Sequence, residues 1–171
     1  MTMLQKLLTR EKDGILGRWL DLVFATYAQD SILLLRDRQD PFANPVGSTI
    51  RRELENLFDG LIAGRETKEM SHSLDAIVRI RAVQDFKPSE AVRFVIDLKR
   101  AIREECGDAV ADPDFTSTLS KMESRIDELA LTAFDLYMTC REQIADIKVG
   151  EARAEKDRLL RVVQAMGKEK D

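Results

Sequence analysis

Apolar residues recur at intervals of three and four positions along almost the whole chain, whereas the strict alternation typical of strands is scarce. This periodicity predicts an all-α fold of about five to six helices, because side chains three or four positions apart share one face of a helix. The first apolar stripe covers residues 4–27, and we expect a kink in it near Asp13 and Gly14. Further helices are predicted over residues 45–62, 68–86 and 88–106, followed by a long C-terminal helix from Pro113.

Proline and glycine mark the predicted helix boundaries. Residues 40–47 hold two prolines and one glycine, so a continuous helix across them is not expected. There Asn44 is placed to cap a helix whose first residue is Pro45, because the proline nitrogen has no hydrogen to leave unpaired. The same combination of cap and proline begins the last helix at Asp112. Two glycines stand where helices are expected to end, Gly64 and Gly107.

The last predicted helix differs from the others in its length and in its apolar surface. Over residues 113–149 it would be about 55 Å long, which exceeds the span of a compact body with a radius of gyration near 16 Å. Over residues 126–138 apolar side chains occupy nearly its whole circumference, so either several helices of the same chain or a second subunit must cover them. For a homodimer, the candidate interface consists of Ile126, Leu129, Ala133, Leu136, Tyr137 and Cys140.

The apolar row changes its position on this helix after Ile147. The next row is offset by about two residues, or roughly 200° of helix rotation, and Gly150 lies at the change. We therefore expect either a break in the helix or a change of packing partner near residues 148–150. The pattern divides the chain into a helical domain (1–110), a long helix that packs on this domain and on a dimer partner (111–149), and a charged amphipathic tail (150–171).

Composition and charge exclude several classes of protein. Of the 171 residues 34% are charged, and the formal net charge of -4 leaves no basic excess for binding nucleic acid. One histidine and two widely separated cysteines do not form a metal or redox motif, so neither a metal nor a cofactor is expected. No nucleophile–base pair or carboxylate cluster follows from the spacing, which predicts a non-enzymatic protein. No apolar run resembles a membrane span or a signal peptide, so we expect a cytoplasmic protein.

Residues 79–86 combine several charged and polar side chains within one predicted helix. Arg81 and Asp85 are one helical turn apart, which predicts a salt bridge that fixes the following loop. In a functional alternative, Arg81 acts with Lys99 or Arg103 of the next helix to bind an anion or the carboxylate of a partner.

Several motifs resemble those of a known family. The two longer ones are DPFANPVG at residues 40–47 and IVRIRAVQDF at residues 77–86, and the shorter ones are Arg18-Trp19, Thr26-Tyr27, residues 88–92 and Lys99. With them, residues 10–107 resemble the N-terminal domain of RsbRD-type proteins, the RsbT co-antagonists of the bacterial stressosome. The resemblance implies a sensory or protein-interaction module with a globin-like fold that dimerises without haem. Such proteins usually continue into a STAS output domain, whereas this chain resembles a stand-alone version without one.

Residues of these motifs form the candidate set for binding a partner or a ligand: Trp19, Tyr27, Phe42, Asn44, Arg79, Arg81, Gln84, Asp85 and Lys99. The sequence thus predicts a regulatory or sensory module of stress signalling, a homodimer that binds an unidentified protein and signals by repacking its helices. The alternative is a sensor of a small ligand or a haem-type cofactor, with a pocket lined by Trp19, Tyr27, Phe42, Phe94 and Arg81. The only histidine, His72, lies at the start of a helix, and this position argues against bound haem.

Overall fold

The computed structural model describes residues 2–36, 43–107 and 113–168, which contain seven α-helices and no β-strand. The all-α prediction is therefore confirmed. The first apolar stripe is divided at Glu11, and residues 29–36 form a separate short helix. The helices are α1 (Met3–Arg10), α2 (Lys12–Phe24), α3 (Gln29–Arg36), α4 (Pro45–Ile62), α5 (Thr67–Val83), α6 (Pro88–Cys106) and α7 (Pro113–Lys168).

The helix boundaries follow the local chemistry of the sequence. The Asn44 side chain accepts a hydrogen bond from the Gly47 amide at 2.9 Å and donates one to the Leu35 carbonyl at 3.0 Å, so it caps α4 and also fixes the end of α3. Gly64 and Gly107 follow α4 and α6 with φ angles of 75° and 48°, a conformation that glycine adopts at low cost. Both predicted helix ends are therefore present. Asp112, the predicted cap of α7, lies outside the described residues.

The core is formed where α5 and α6 pack on the first half of α7. On the far side, α2 packs on α6 and α4 packs on α5, so the apolar stripes of these helices join in one cluster. Its largest fully buried members are Trp19, Tyr137, Phe24, Phe58 and Phe94, together with one charged residue, Arg81.

The helix α7 runs without interruption for 56 residues, or about 84 Å. A break in the helix was one of the two expectations for residues 148–150. This expectation is wrong, because Gly150 lies within α7. A glycine inside a helix costs only about 1 kcal/mol relative to alanine, which is too little to end a helix whose neighbouring residues favour it. The packing does change, because Ile144 is the last residue of α7 that contacts the core and residues 145–166 are exposed.

Candidate functional site around Arg81

A buried guanidinium joins three helix ends. We call this guanidinium, with the groups around it, the Arg81 centre. Arg81 lies in the last turn of α5 and has no solvent-accessible surface. Its Nη1 donates a hydrogen bond to the Glu90 carbonyl at 2.8 Å, at the start of α6. Its Nη2 donates to the Thr26 hydroxyl at 2.9 Å and to the Val23 carbonyl at 3.3 Å, at the end of α2. Arg81 thus satisfies acceptors on two neighbouring helices at once.

Three aromatic rings enclose the same guanidinium. Its carbon lies 4.8 Å from the centre of the Phe86 ring, 5.4 Å from that of Tyr27 and 5.5 Å from that of Phe94. The Trp19 indole nitrogen donates to the Phe94 carbonyl at 2.6 Å. The structure therefore brings together four of the five residues predicted to line a ligand pocket, and Arg81 occupies the space between the rings. Phe42, the fifth, lies outside the described residues.

Rings and neutral oxygens make the direct contacts with the Arg81 guanidinium, and the carboxylates of Asp97 and Glu90 attract its charge without forming an ion pair. In the described parts of the chain Arg81 forms no ion pair, and burial lowers its pKa. Burial raises the pKa of Tyr27, an effect that the positive charge of Arg81 partly opposes. The Tyr27 hydroxyl and the Arg81 Nε are both buried without a hydrogen-bond partner in the described part of the molecule. The aromatic faces around the guanidinium therefore offset part of the cost of burying this cation.

The loop after Arg81 is held against α7. We call residues 84–87 the α5–α6 corner. The Tyr137 hydroxyl of α7 donates a hydrogen bond to the Phe86 carbonyl, and Arg141 Nη1 donates to the Ala82 carbonyl at 3.1 Å. Arg141 also forms an ion pair with Asp85 at 2.6 Å. The corner therefore connects the Arg81 centre to α7 just before this helix leaves the body.

The predicted ion pair between Arg81 and Asp85 is replaced by the ion pair between Asp85 and Arg141. Asp85 follows the end of α5 and has a φ angle of 62°, so it no longer lies on the helical face of Arg81. Aspartate is among the few non-glycine residues that tolerate this left-handed conformation. Helical spacing alone could not reveal the exchange, because it depends on where the helix ends and on a residue 56 positions away.

The other cationic candidates lie on the surface and pair with carboxylates. Arg79 is exposed and forms an ion pair with Asp75 at 2.6 Å, one turn earlier in α5. Lys99 pairs with Asp127 of α7 at 2.6 Å. Arg103 likewise holds Glu123 of α7 with two hydrogen bonds, at 2.6 and 2.8 Å. Lys99 and Arg103 thus join α6 to α7 and do not form an anion site with Arg81. Of the remaining candidates, Gln84 is exposed and Asn44 is the cap of α4.

The predicted dimer residues of α7 are covered within one chain. Leu136 is partly buried against the core, and the other five are buried, Ile126, Leu129, Ala133, Tyr137 and Cys140. The reason is that α5 and α6 both pack on this half of α7. A contact between two copies therefore has to use other side chains of the helix.

A different apolar row of α7 remains exposed, and the sequence interpretation did not separate it from the buried one. We call it the exposed α7 stripe; it consists of Leu131, Phe134, Met138, Ala145, Val149, Ala152, Leu159, Val163 and Met166. It begins on the body and continues along the projecting half of the helix. Six of its members are spaced seven residues apart, the spacing of helix–helix seams. This regular spacing is the sequence signal that could have identified the exposed stripe. It is hard to recognise because residues 126–138 are apolar on nearly all faces of the helix.

Comparison with known proteins identifies the family. The chain belongs to the family of the RsbT co-antagonist protein RsbRD N-terminal domain, which it matches over residues 13–165. This is a sensory domain family and not a catalytic one. The match extends beyond the predicted residues 10–107 and includes most of α7.

The chain was also compared with individual proteins and with solved structures. An uncharacterized protein of Archaeoglobus fulgidus is 26% identical over 121 residues, which cover 69% of this chain and 76% of that protein. No solved structure matches the chain, so the globin-like shape implied by the resemblance stays a prediction. Among the described helices, none combines the length and the apolar character that crossing a membrane requires.

Proposed function

We propose that this protein is a non-enzymatic regulatory module that forms a homodimer through the exposed α7 stripe and signals to a protein partner by a change in helix packing. The observation that carries the proposal is the continuity of this stripe from the body onto the projecting half of α7. The sensory character of the family agrees with it. A role in stress signalling and a cytoplasmic location are parts of the same proposal.

The physical argument for a second copy concerns the stability of the projecting half of α7. Helices in proteins are stabilised mainly by packing an apolar face against a neighbour, and less by the intrinsic preferences of their residues. Residues 145–166 are all exposed, yet the stripe places six apolar residues along one side. A second copy would cover that side over about 54 Å, counted from Leu131 to Met166.

The α5–α6 corner supplies a route from the body to this dimer contact. Arg81 joins α2, α5 and α6, and the corner that follows it is hydrogen bonded to Tyr137 and Arg141 of α7. A rearrangement at the Arg81 centre would therefore shift α7 close to the point where it leaves the body. This would change how the two copies of α7 pack and what a partner meets on them.

Two exposed apolar residues of the projecting half provide a matched test of the dimer. Val163 belongs to the stripe, whereas Ile147, which is also exposed, lies about 160° away from it around the helix. We expect the native protein to sediment with twice its mass of 19.5 kDa at micromolar concentration. Val163→Glu should raise the dissociation constant of the dimer at least tenfold, about 1.4 kcal/mol, because it buries a charge in the seam. Analytical ultracentrifugation over a concentration series measures both quantities.

Ile147→Glu is the control and should leave the dimer intact. Neither substitution should change the thermal unfolding of the body, since both positions lie beyond its last contact with α7. A native protein that stays monomeric, or equal weakening by both glutamates, would contradict the proposal.

A further inference from the structure

An open cleft lies at the opposite end of α5 from Arg81, between α1, the end of α4 and the first turns of α7. Its volume is about 190 Å³. Four apolar side chains form its floor, Leu4, Leu8, Leu61 and Met122, and the first two come from α1. All four are almost completely buried. Because their contacts with the rest of the body already hold them, the floor is formed before any ligand arrives.

Two cations of α7 stand at the edge of this cleft, one helical turn apart. Arg125 donates hydrogen bonds to the carbonyl oxygens of Leu61, at 3.1 Å, and of Arg65, so its guanidinium is fixed against the end of α4. Lys121 is exposed and lines the cleft. Within the described ranges, Lys121, Arg125 and Arg65 form no ion pair.

No described carboxylate pairs with these cations, in contrast to other cations on the same body. Arg18 pairs with two glutamates of α6, and Lys99 and Arg103 pair with acids of α7. The cleft thus combines an apolar floor with a positive edge whose charge is not compensated by the described residues. The complementary ligand has one apolar end and one negative end.

We propose that this cleft binds a free straight-chain monocarboxylate of about six to eight carbons, with its alkyl chain on the apolar floor and its carboxylate at Lys121 and Arg125. A short chain is favoured because the cleft volume of about 190 Å³ lies below the range of about 300–1,000 Å³ typical of sites for drug-sized ligands. A dicarboxylate would bury its second charge on the floor, and a membrane lipid with two long chains exceeds the space. This proposal depends on the cleft alone and does not require the dimer.

Octanoate is the probe that tests it, with two partial ligands as comparisons. Octanol keeps the chain without the charge, and acetate keeps the charge without the chain. We expect octanoate to bind one site per chain with a dissociation constant of about 0.1–1 mM, and both partial ligands to bind more weakly. Isothermal titration calorimetry measures these affinities.

Two lysines provide matched variants, because both are exposed and neither forms an ion pair in the described part of the chain. Lys121→Gln should weaken octanoate binding about two- to fivefold, the range for an exposed ion pair. Lys87→Gln, in the α5–α6 corner and outside the cleft, should leave the affinity unchanged.

Methyl resonances of methionine locate the bound ligand independently of any variant. In protein labelled at the methionine methyl carbons, octanoate should shift the signal of Met122 and leave that of Met138, on the exposed α7 stripe, unchanged. The proposal is overturned if octanoate binding does not saturate, if octanol binds as tightly, or if the two lysine variants behave alike. It is equally overturned if Met138 responds instead of Met122, or if the Met122 signal changes with protein concentration alone, which would assign the cleft to a second copy.

Discussion

Replacement of Arg81 by alanine is expected to lower the free energy of unfolding by about 3–5 kcal/mol. The substitution removes the donor from the Glu90 carbonyl, the Val23 carbonyl and the Thr26 hydroxyl, all of which lie at helix ends. It also leaves a cavity between the three aromatic rings that now contact the guanidinium. Denaturant titration followed by circular dichroism measures the change.

Arg79 provides the control, because it lies two residues away on the same helix but is exposed. Its ion pair with Asp75 has its partners about half and one quarter exposed, so Arg79→Ala should leave the free energy of unfolding almost unchanged. Arg81→Lys should fall between the two alanine variants, since it keeps the charge but loses the planar fork that reaches several acceptors. Similar losses for Arg79→Ala and Arg81→Ala would show that the buried guanidinium does not hold the three helices together.

Replacement of Tyr137 by alanine is expected to cost about 3–5 kcal/mol as well, because a buried aromatic side chain leaves a large cavity. A second effect, on hydrogen exchange, distinguishes Tyr137→Ala from an ordinary core substitution. The Tyr137 hydroxyl is hydrogen bonded to the Phe86 carbonyl, so its loss releases the α5–α6 corner from α7. Hydrogen exchange should therefore accelerate in residues 84–87 and in α7 near Arg141, more than in the contact between α4 and α5.

Tyr137→Phe separates the two contributions. It keeps the ring in the core and removes only the hydrogen bond to the corner, so we expect a loss of about 1 kcal/mol. Hydrogen exchange in the α5–α6 corner should still accelerate, while exchange rates in the rest of the body stay close to those of the native protein. If exchange accelerates evenly over the whole body in both variants, the hydrogen bond to Phe86 has no special part in linking the corner to α7.

Most of the helices could be predicted from the sequence because their signals are local. Asn44 with Pro45 at the start of α4, and Pro88 at the start of α6, act through the backbone of the next few residues. Positive φ angles at Gly64 and Gly107 follow from the missing side chain in the same way. The apolar periodicity then identifies the buried faces, and Ile126, Leu129 and Ala133 were correctly recognised as apolar positions that need cover.

What covers these positions could not be read from periodicity, because a helix face is equally apolar whether its neighbour belongs to the same chain or to another. Here α5 and α6 supply the cover, and the dimer residues proposed from the sequence lie inside one chain. The ion pair of Asp85 was missed for a related reason. It depends on the exact end of α5 and on Arg141, which only the tertiary fold brings close. The aromatic enclosure of Arg81 likewise combines residues from α2, the corner and α6.

The projecting half of α7 also acts as a lever. From Ala145 to the end of α7 at Lys168 it extends about 36 Å beyond the last contact with the core. A tilt of about 5° at Ile144 displaces its tip by about 3 Å, the length of a hydrogen bond. In the function proposed above, a small movement at the α5–α6 corner would thereby be enlarged at the far end of α7, where it would be large enough to make or break individual contacts with a partner.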